Sequence, residues 1–428
     1  MSRSSLVPVA ALALVACSEG APTYYRDVRP IVEGRCTSCH AEGAIAPFGL
    51  DDFEKVKAFG PAVAMAVTSR QMPPWSAGPS DVTYDGDVSL TDEQIQTIVD
   101  WVDLGMEMGD ASSPGDALPP VEPAFPGADL ELQLPEPYVP TGRPDDYRCF
   151  PVRWTQTADK FVTALSVTPG NLEIVHHVGV FILPPENADK PFVWNEEDER
   201  PGYECFGGPS GGREAIPIVQ LGAWLPGQSG NVYPNGIGIR VKPGSTVVIQ
   251  MHYNVVADDP APDQSRLVFS LADSVEREGW YAPFLDVSWP LGFMQIPAGE
   301  SAVEHEIQED PRGFFDLVAG ETLPFDDGFE VHAVMFHMHQ LGEVGRVSRV
   351  RRGFETNFLN IQNWDFNWQR QYVLSEPLEV MDGDELMLNC TFDNSAANQD
   401  RGAEPVDVYW GEGTGDEMCV ANMLVTAR

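Results

Sequence analysis

The spacing of apolar and polar residues changes character along the chain. Between 24 and 35 the apolar positions Val28, Ile31 and Val32 recur at helical intervals. Ile95, Ile98, Val99 and Val102 likewise share one helical face. Thr91-Asp92-Glu93-Gln94 stands just before that second run and has the form of a capping box, which predicts a helix opening after Thr91. From about 145 the rhythm shortens. Apolar runs at 161–167, 174–183, 245–253, 266–271, 330–338, 372–374 and 385–392 are separated by Pro, Gly and Asn, the pattern of strands. The expected fold is mainly β: a small all-α domain at 22–110, then two antiparallel β-sandwich modules of jelly-roll type at 141–288 and 289–428. Residues 111–140, rich in Pro, Gly, Ala and acids, read as an extended linker that becomes the first edge of the next domain.

Composition narrows the partners. The chain has 428 residues, too many for one hydrophobic core. Its net charge of −39 argues against nucleic acid and against anionic membrane surfaces. The start of the chain carries an address. Arg3 precedes an apolar run, 6–15, that is too short to span a bilayer and ends in Leu14-Val15-Ala16-Cys17. That tetrad resembles a bacterial lipobox. The resemblance implies that 1–17 is a signal peptide, that Cys17 is lipidated, and, with Ser18 following it, that the product is an outer-membrane lipoprotein held by its lipid anchor alone. A cleaved secretory signal with a chance cysteine is the alternative.

Cys36-Thr-Ser-Cys39-His40 places two thiols where both can add to the vinyl groups of a single haem, with His40 adjacent as an iron ligand. Zinc would need further ligands, and no Cys or His stands between His40 and Cys149. The flanking helices resemble the terminal helices of a class I cytochrome c, which implies one covalently bound haem c in 22–110. The second axial ligand is expected to be a thioether. Met72 is preferred because Pro73 and Pro74 stiffen its loop, with Met65 and Met106 as rivals. Of seven cysteines, Cys149, Cys205, Cys390 and Cys419 then remain, an even number available for two disulfides in an oxidising compartment.

Six of the eight histidines, His176, His177, His252, His332, His337 and His339, fall in short stretches of the β region. His337 and His339 are at i and i+2, so on a strand both project from one face, roughly 7 Å apart at Cβ, and can converge on one metal. His332, five residues before His337, would face the opposite side. His176 and His177 are adjacent and would point to opposite faces, so joint ligation requires a strand end or a bulge. A buried, hydrogen-bonded pair is the other reading.

Asp416-Glu417-Met418-Cys419, together with the His-His-Val, Gln-x-His-Tyr and His-x-His-x-Leu-Gly stretches in this order, resembles the copper type II, ascorbate-dependent monooxygenases over 145–428. The resemblance implies two copper ions. His176, His177 and His252 would form the site that stores and transfers an electron. His337, His339 and Met418 would form the catalytic site where O2 binds and a substrate C–H bond is attacked. Imidazole suits copper in both oxidation states, and a thioether favours Cu(I). The same resemblance implies Cys149–Cys205 and Cys390–Cys419 disulfides, and supporting places for Gln250 and Tyr147 at the first copper. Two departures matter. The amidating branch has an Arg two residues before its His-x-His, where this chain has Met335, and a Tyr where this chain has Asn422. A peptide carboxylate is therefore not the expected substrate; a neutral or apolar small molecule is. The expected function is hydroxylation of an sp3 carbon with O2, an external one-electron donor supplying the haem. A non-catalytic copper and haem electron-transfer or copper-handling protein is the alternative.

Overall fold

The computed structural model describes residues 20–41, 46–119, 125–206, 208–214, 216–225, 230–234, 236–255, 259–366, 368–399 and 403–428. Cys17 and the expected signal peptide lie outside them. No helix of the described residues is long and apolar enough to cross a membrane. The chain divides into two compact units.

The first unit comprises 20–41, Ala46–Pro73 and Leu90–Pro119. A π-helical turn, Tyr24–Val28, leads into helix α1 (Arg29–Arg35); α2 (Phe53–Thr68) and α3 (Asp92–Asp103) follow. The capping box is present at the start of α3, with Thr91 Oγ1 accepting from Gln94 N and Gln94 Oε1 from Thr91 N. Helix α2 has no counterpart in the periodicity reading, because Gly60 and Pro61 interrupt its middle. Gly60 has a packing reason: a Cβ there would lie 2.7 Å from Met106 Sδ. The core of the unit is Tyr24, Val28, Val32, Leu50, Phe53, Val56 and Trp101.

The second unit, Pro74–Ser89 and the residues from 125 onward, is mainly β and almost wholly antiparallel. A five-stranded sheet runs in the order Tyr203–Glu204, Asp145–Arg153, Thr246–Asn254, Val175–Leu183, Val219–Trp224. A ten-stranded sheet holds, among others, Lys160–Thr168, Arg266–Ala272, Arg277–Phe284, Phe329–His337, Gln371–Val380 and Val420–Ala427. One core, including Phe150, Ile249, Leu165 and Phe269, fills the space between these two sheets. A second core joins the ten-stranded sheet to a four-stranded one (Val303–Glu309, Glu385–Phe392, Gly342–Arg351, Phe354–Ile361) through Phe336, Phe358, Leu388 and Phe392. The expected boundary at 288/289 falls inside this unit, where Arg277–Phe284 pairs with the C-terminal strand Val420–Ala427. Part of the expected linker is paired: Leu130–Gln133 pairs with Arg266–Ala272 in the sheet, and Tyr138 bridges to Asp263.

Two disulfides pin the strands that matter below. Cys149–Cys205 holds Asp145–Arg153 to the segment after Tyr203, and Cys390–Cys419 holds Glu385–Phe392 to the residue before Val420. Their sequence separations of 56 and 29 residues correspond to roughly 3.5–4 kcal/mol each in the chain-entropy view.

Candidate metal centre

The strand Val175–Leu183 pairs with Thr246–Asn254 so that His177 faces His252 and Val175 faces Tyr253. His176 is therefore the extra residue of a β-bulge. That bulge resolves the geometric problem of adjacent histidines, since it turns both imidazoles to one side. His176 Nδ1 and His177 Nδ1 are 3.3 Å apart, and His177 Nδ1 and His252 Nδ1 are 3.2 Å apart. The three ligand atoms lie within 4.8 Å of one another. Nitrogens bound to one metal at about 2.0 Å are separated by roughly 3.3 Å in a tetrahedral arrangement, so the triangle has the size of a ligand set. The donor set, three imidazole nitrogens, fits copper.

The protonation of the cluster is suited to ligation. Burial, with His252 and His337 nearby, pushes His176 down to about 4, and burial with His252 and His176 nearby holds His177 well below its usual range. His252 Nε2–H donates to Asp145 Oδ1 at 2.8 Å, leaving Nδ1 for the cluster. Burial alone would raise the Asp145 carboxyl. Bonds from His252 and from Thr414, whose hydroxyl donates at 2.7 Å, hold it well below the carboxylate range instead. Tyr147 stacks flat on His252, with centroids 4.2 Å apart and 8° between planes, and its hydroxyl donates to the Glu412 carbonyl. Gln250 takes a different place: its Nε2 donates to the Cys205 carbonyl at 3.2 Å.

His337 ends the strand Phe329–His337, and His339 lies just beyond it, with ring centroids 5.0 Å apart. His337 Nδ1–H donates to Gln369 Oε1 at 2.6 Å, and His339 Nδ1–H to the Asp416 carbonyl at 3.0 Å, so Nε2 is the available atom on both rings. His337 pairs with Val420 across the sheet. Met418 precedes that strand by two residues, and its N donates to Glu417 Oε2 at 3.3 Å. Glu417 secures the corner. It is fully buried and accepts from His339 N at 2.8 Å and Leu341 N at 2.5 Å. His332 stands apart, as the extra residue of another bulge between Val331 and Ala333, with Nε2 at 2.9 Å from Thr426 Oγ1.

One aromatic ring touches both histidine groups. Phe366 stacks on His176 at 5.0 Å and 22° and meets His339 edge-on at 5.8 Å. A cavity of about 470 Å³ is lined by His176, Leu341, Trp364, Phe366 and Thr414 among others, and no Lys or Arg is among its described lining residues. Met335 and Asn422, the two departures noted above, are direct cross-strand partners one step along the sheet face from His337.

In the helical unit, Cys36 and Cys39 are not disulfide-bonded, and burial pushes the Cys36 thiol up to about 12. His40 Nδ1–H donates to the Phe48 carbonyl at 3.1 Å, which leaves Nε2 for a ligand. Phe48 packs on His40 at 4.7 Å and stacks on Phe59 of α2 at 4.1 Å. Next along the same outer face of α2 come Ala62 and Met65, and Met65 is 71% exposed. Thiols, imidazole and apolar face fit a haem c. Met72 follows α2, its N donating to the Ala66 carbonyl, and Met106 fills the space over Gly60.

Sequence reading missed the groups packed on or bonded around these histidines: Asp145, Thr414, Gln369, Phe366 and Glu417. Asp145 is 107 residues from His252, and Gln369 is 32 from His337, so no local spacing points to them.

Residues 318–425 match the family model of the copper type II ascorbate-dependent monooxygenase, C-terminal domain. The chain is 26% identical over 269 residues to DBH-like monooxygenase protein 1 of Gallus gallus, covering 60% of this chain and 39% of that protein. It is 22% identical over 262 residues to tyramine beta-hydroxylase of Caenorhabditis briggsae, covering 59% and 40%. The chain thus spans about two-fifths of the length of these relatives. Among solved structures, N-glycanase F is similar at a TM-score of 0.28 and 9% identity, over 70% of this chain and 96% of that one.

Proposed function

We propose that this chain is a copper-dependent monooxygenase that hydroxylates an sp3 carbon of a small molecule with O2. Its two copper sites are His176/His177/His252 and His337/His339/Met418. The observation that carries this is the pairing of a three-histidine cluster with a second histidine pair, both in contact with the Phe366 ring. Copper bound at the two places would supply one-electron storage at the first and oxygen activation at the second.

The chain's own groups prepare the cleft. Asp145 turns His252 Nδ1 inward, and Gln369 and the Asp416 carbonyl turn the Nε2 atoms of His337 and His339 outward. Met418 adds a thioether beside that pair, a ligand that favours the reduced metal. Trp364 and Phe366 present rings to the cavity beside its polar lining. With Met335 in place of an Arg and Asn422 in place of a Tyr, and no Lys or Arg among the described cavity residues, the substrate is a small neutral or amine-bearing molecule, not a carboxylate.

The helical unit is proposed as a cytochrome c-like domain carrying one haem c on Cys36, Cys39 and His40, with Met72 as second axial ligand. It would relay electrons from an external one-electron donor to the three-histidine site. Two jelly-roll modules and an outer-membrane lipid anchor at Cys17 complete the proposal. The test is oxygen uptake by copper-loaded protein with a chemical reductant and a panel of neutral and amine-bearing aromatics, tyramine among them. Uptake that yields a hydroxylated product, and is lost in His337→Ala, supports the reading. Product formation that persists in His337→Ala refutes it.

A further inference from the structure

The two histidine groups lean on oxygen atoms of different charge. His252 Nε2–H donates to a carboxylate, Asp145 Oδ1, which also accepts from Thr414 Oγ1 at 2.7 Å and Asn254 Nδ2 at 3.3 Å, while Oδ2 accepts from Thr414 N at 3.3 Å. Four donors around an acceptor-only group fix it in one orientation. On the other side of the cleft both acceptors are neutral: the Gln369 amide for His337 and the Asp416 backbone carbonyl for His339. The Gln369 amide is itself oriented. It is 5% exposed, and its Nε2 donates to the Phe366 carbonyl at 2.9 Å, so Oε1 must face His337. The same segment anchors His339, whose carbonyl accepts from Trp364 Nε1 at 2.8 Å.

We propose that Asp145 and Gln369 are positioning residues that give the two metal sites opposite redox preferences. The inference rests on the copper reading above. An imidazole whose far N–H is polarised by a carboxylate is a more basic ligand, and stabilises the more highly charged metal. An imidazole held by an amide oxygen gains less basicity, and with a thioether beside it the reduced metal is favoured. Cu(II) is therefore preferred at His176/His177/His252 and Cu(I) at His337/His339/Met418. With copper bound, the His176/His177/His252 place would supply an electron and the His337/His339/Met418 place would accept it, with no proton required. Loss of Asp145 erases this asymmetry from one side, and a carboxylate in place of Gln369 erases it from the other.

The experiment is a redox titration of full-length protein loaded with copper alone, followed by the Cu(II) paramagnetic resonance of each site. Signals are assigned with His252→Ala and His337→Ala, and Cu(I) affinity is read by competition with a chelator. Both diagnostic variants are near-isosteric. Asp145→Asn should raise the midpoint potential of the three-histidine copper and leave the other unmoved. Gln369→Glu should keep the acceptor for His337 and lower the midpoint of its copper, whereas Gln369→Leu should weaken copper there by about 10–100-fold. Unmoved midpoints in both Asp145→Asn and Gln369→Glu, or shifts of the same sign, overturn the proposal. A wild-type protein that binds no copper refutes the copper reading itself, and this inference with it.

Discussion

His176 and His332 are each the extra residue of a β-bulge, yet one joins a ligand cluster and the other bonds a threonine. Residue type alone does not separate them; what the ring meets does. Burial pushes His332 down to about 4, with Glu330 opposing. Between pH 6.5 and 4 the unfolded chain takes a proton there that the folded chain refuses, so this group's share of stability is present above pH 6.5 and is lost as the pH falls toward 4. His332→Gln keeps a partner for Thr426 and removes the titration. Thermal melts of the metal-free variant at pH 7 and pH 5 should therefore lie closer together than those of wild type. An equal gap in the two proteins would show that His332 takes up its proton as readily in the fold as in the unfolded chain. Fully buried Glu417 is pushed up to about 8 by burial, against donations from the backbone of His339, Leu341 and Met418. No motif reading assigns it a role, although it stands inside the Asp-Glu-Met-Cys motif, because its function is to hold main chain.

At the scale of elements, alternation located most strands well. The run 161–167 lies in Lys160–Thr168, 174–183 in and just before Val175–Leu183, and 385–392 coincides with Glu385–Phe392. Asp145–Arg153 escaped because it is buried on both faces and carries fully buried Arg148, which pairs with Asp198 and so reads as polar in sequence. The strand Gly342–Arg351, which packs across the core from the His337 strand, tolerates little. A Cβ on Gly345 would lie 2.4 Å from the Phe336 ring, whose residue is 1% exposed. Gly345→Ala should cost about 1–3 kcal/mol in denaturant unfolding; an unchanged midpoint would mean that Phe336 has room to move. Breaking Cys390–Cys419 by Cys390→Ala should remove roughly 3.5 kcal/mol and free the segment that carries Met418. Copper retention by His337 and His339 should therefore fall in that variant by more than in Gly345→Ala, a comparison that equilibrium dialysis makes directly.

For the whole molecule, the change from helical to strand periodicity was legible, and so was the order of the histidine stretches. The continuity of the ten-stranded sheet across residue 288 was not, because pairing between Arg277–Phe284 and Val420–Ala427 joins segments far apart in sequence. The helical unit makes its own prediction. Haem attached through Cys36 and Cys39 should survive denaturing electrophoresis as a haem-staining band and vanish in the Cys36→Ala/Cys39→Ala double variant, while Met72→Ala should lower the haem potential. An unchanged spectrum in Met72→Ala would transfer the axial role to Met65. The central claim is that the chain holds two separate copper sites, and copper counting tests it most directly. After loading with excess copper and removal of loosely held metal, the wild type should retain two coppers per chain, and His252→Ala and His337→Ala one each. Retention of one copper or none by the wild type, or of both by either variant, would contradict it.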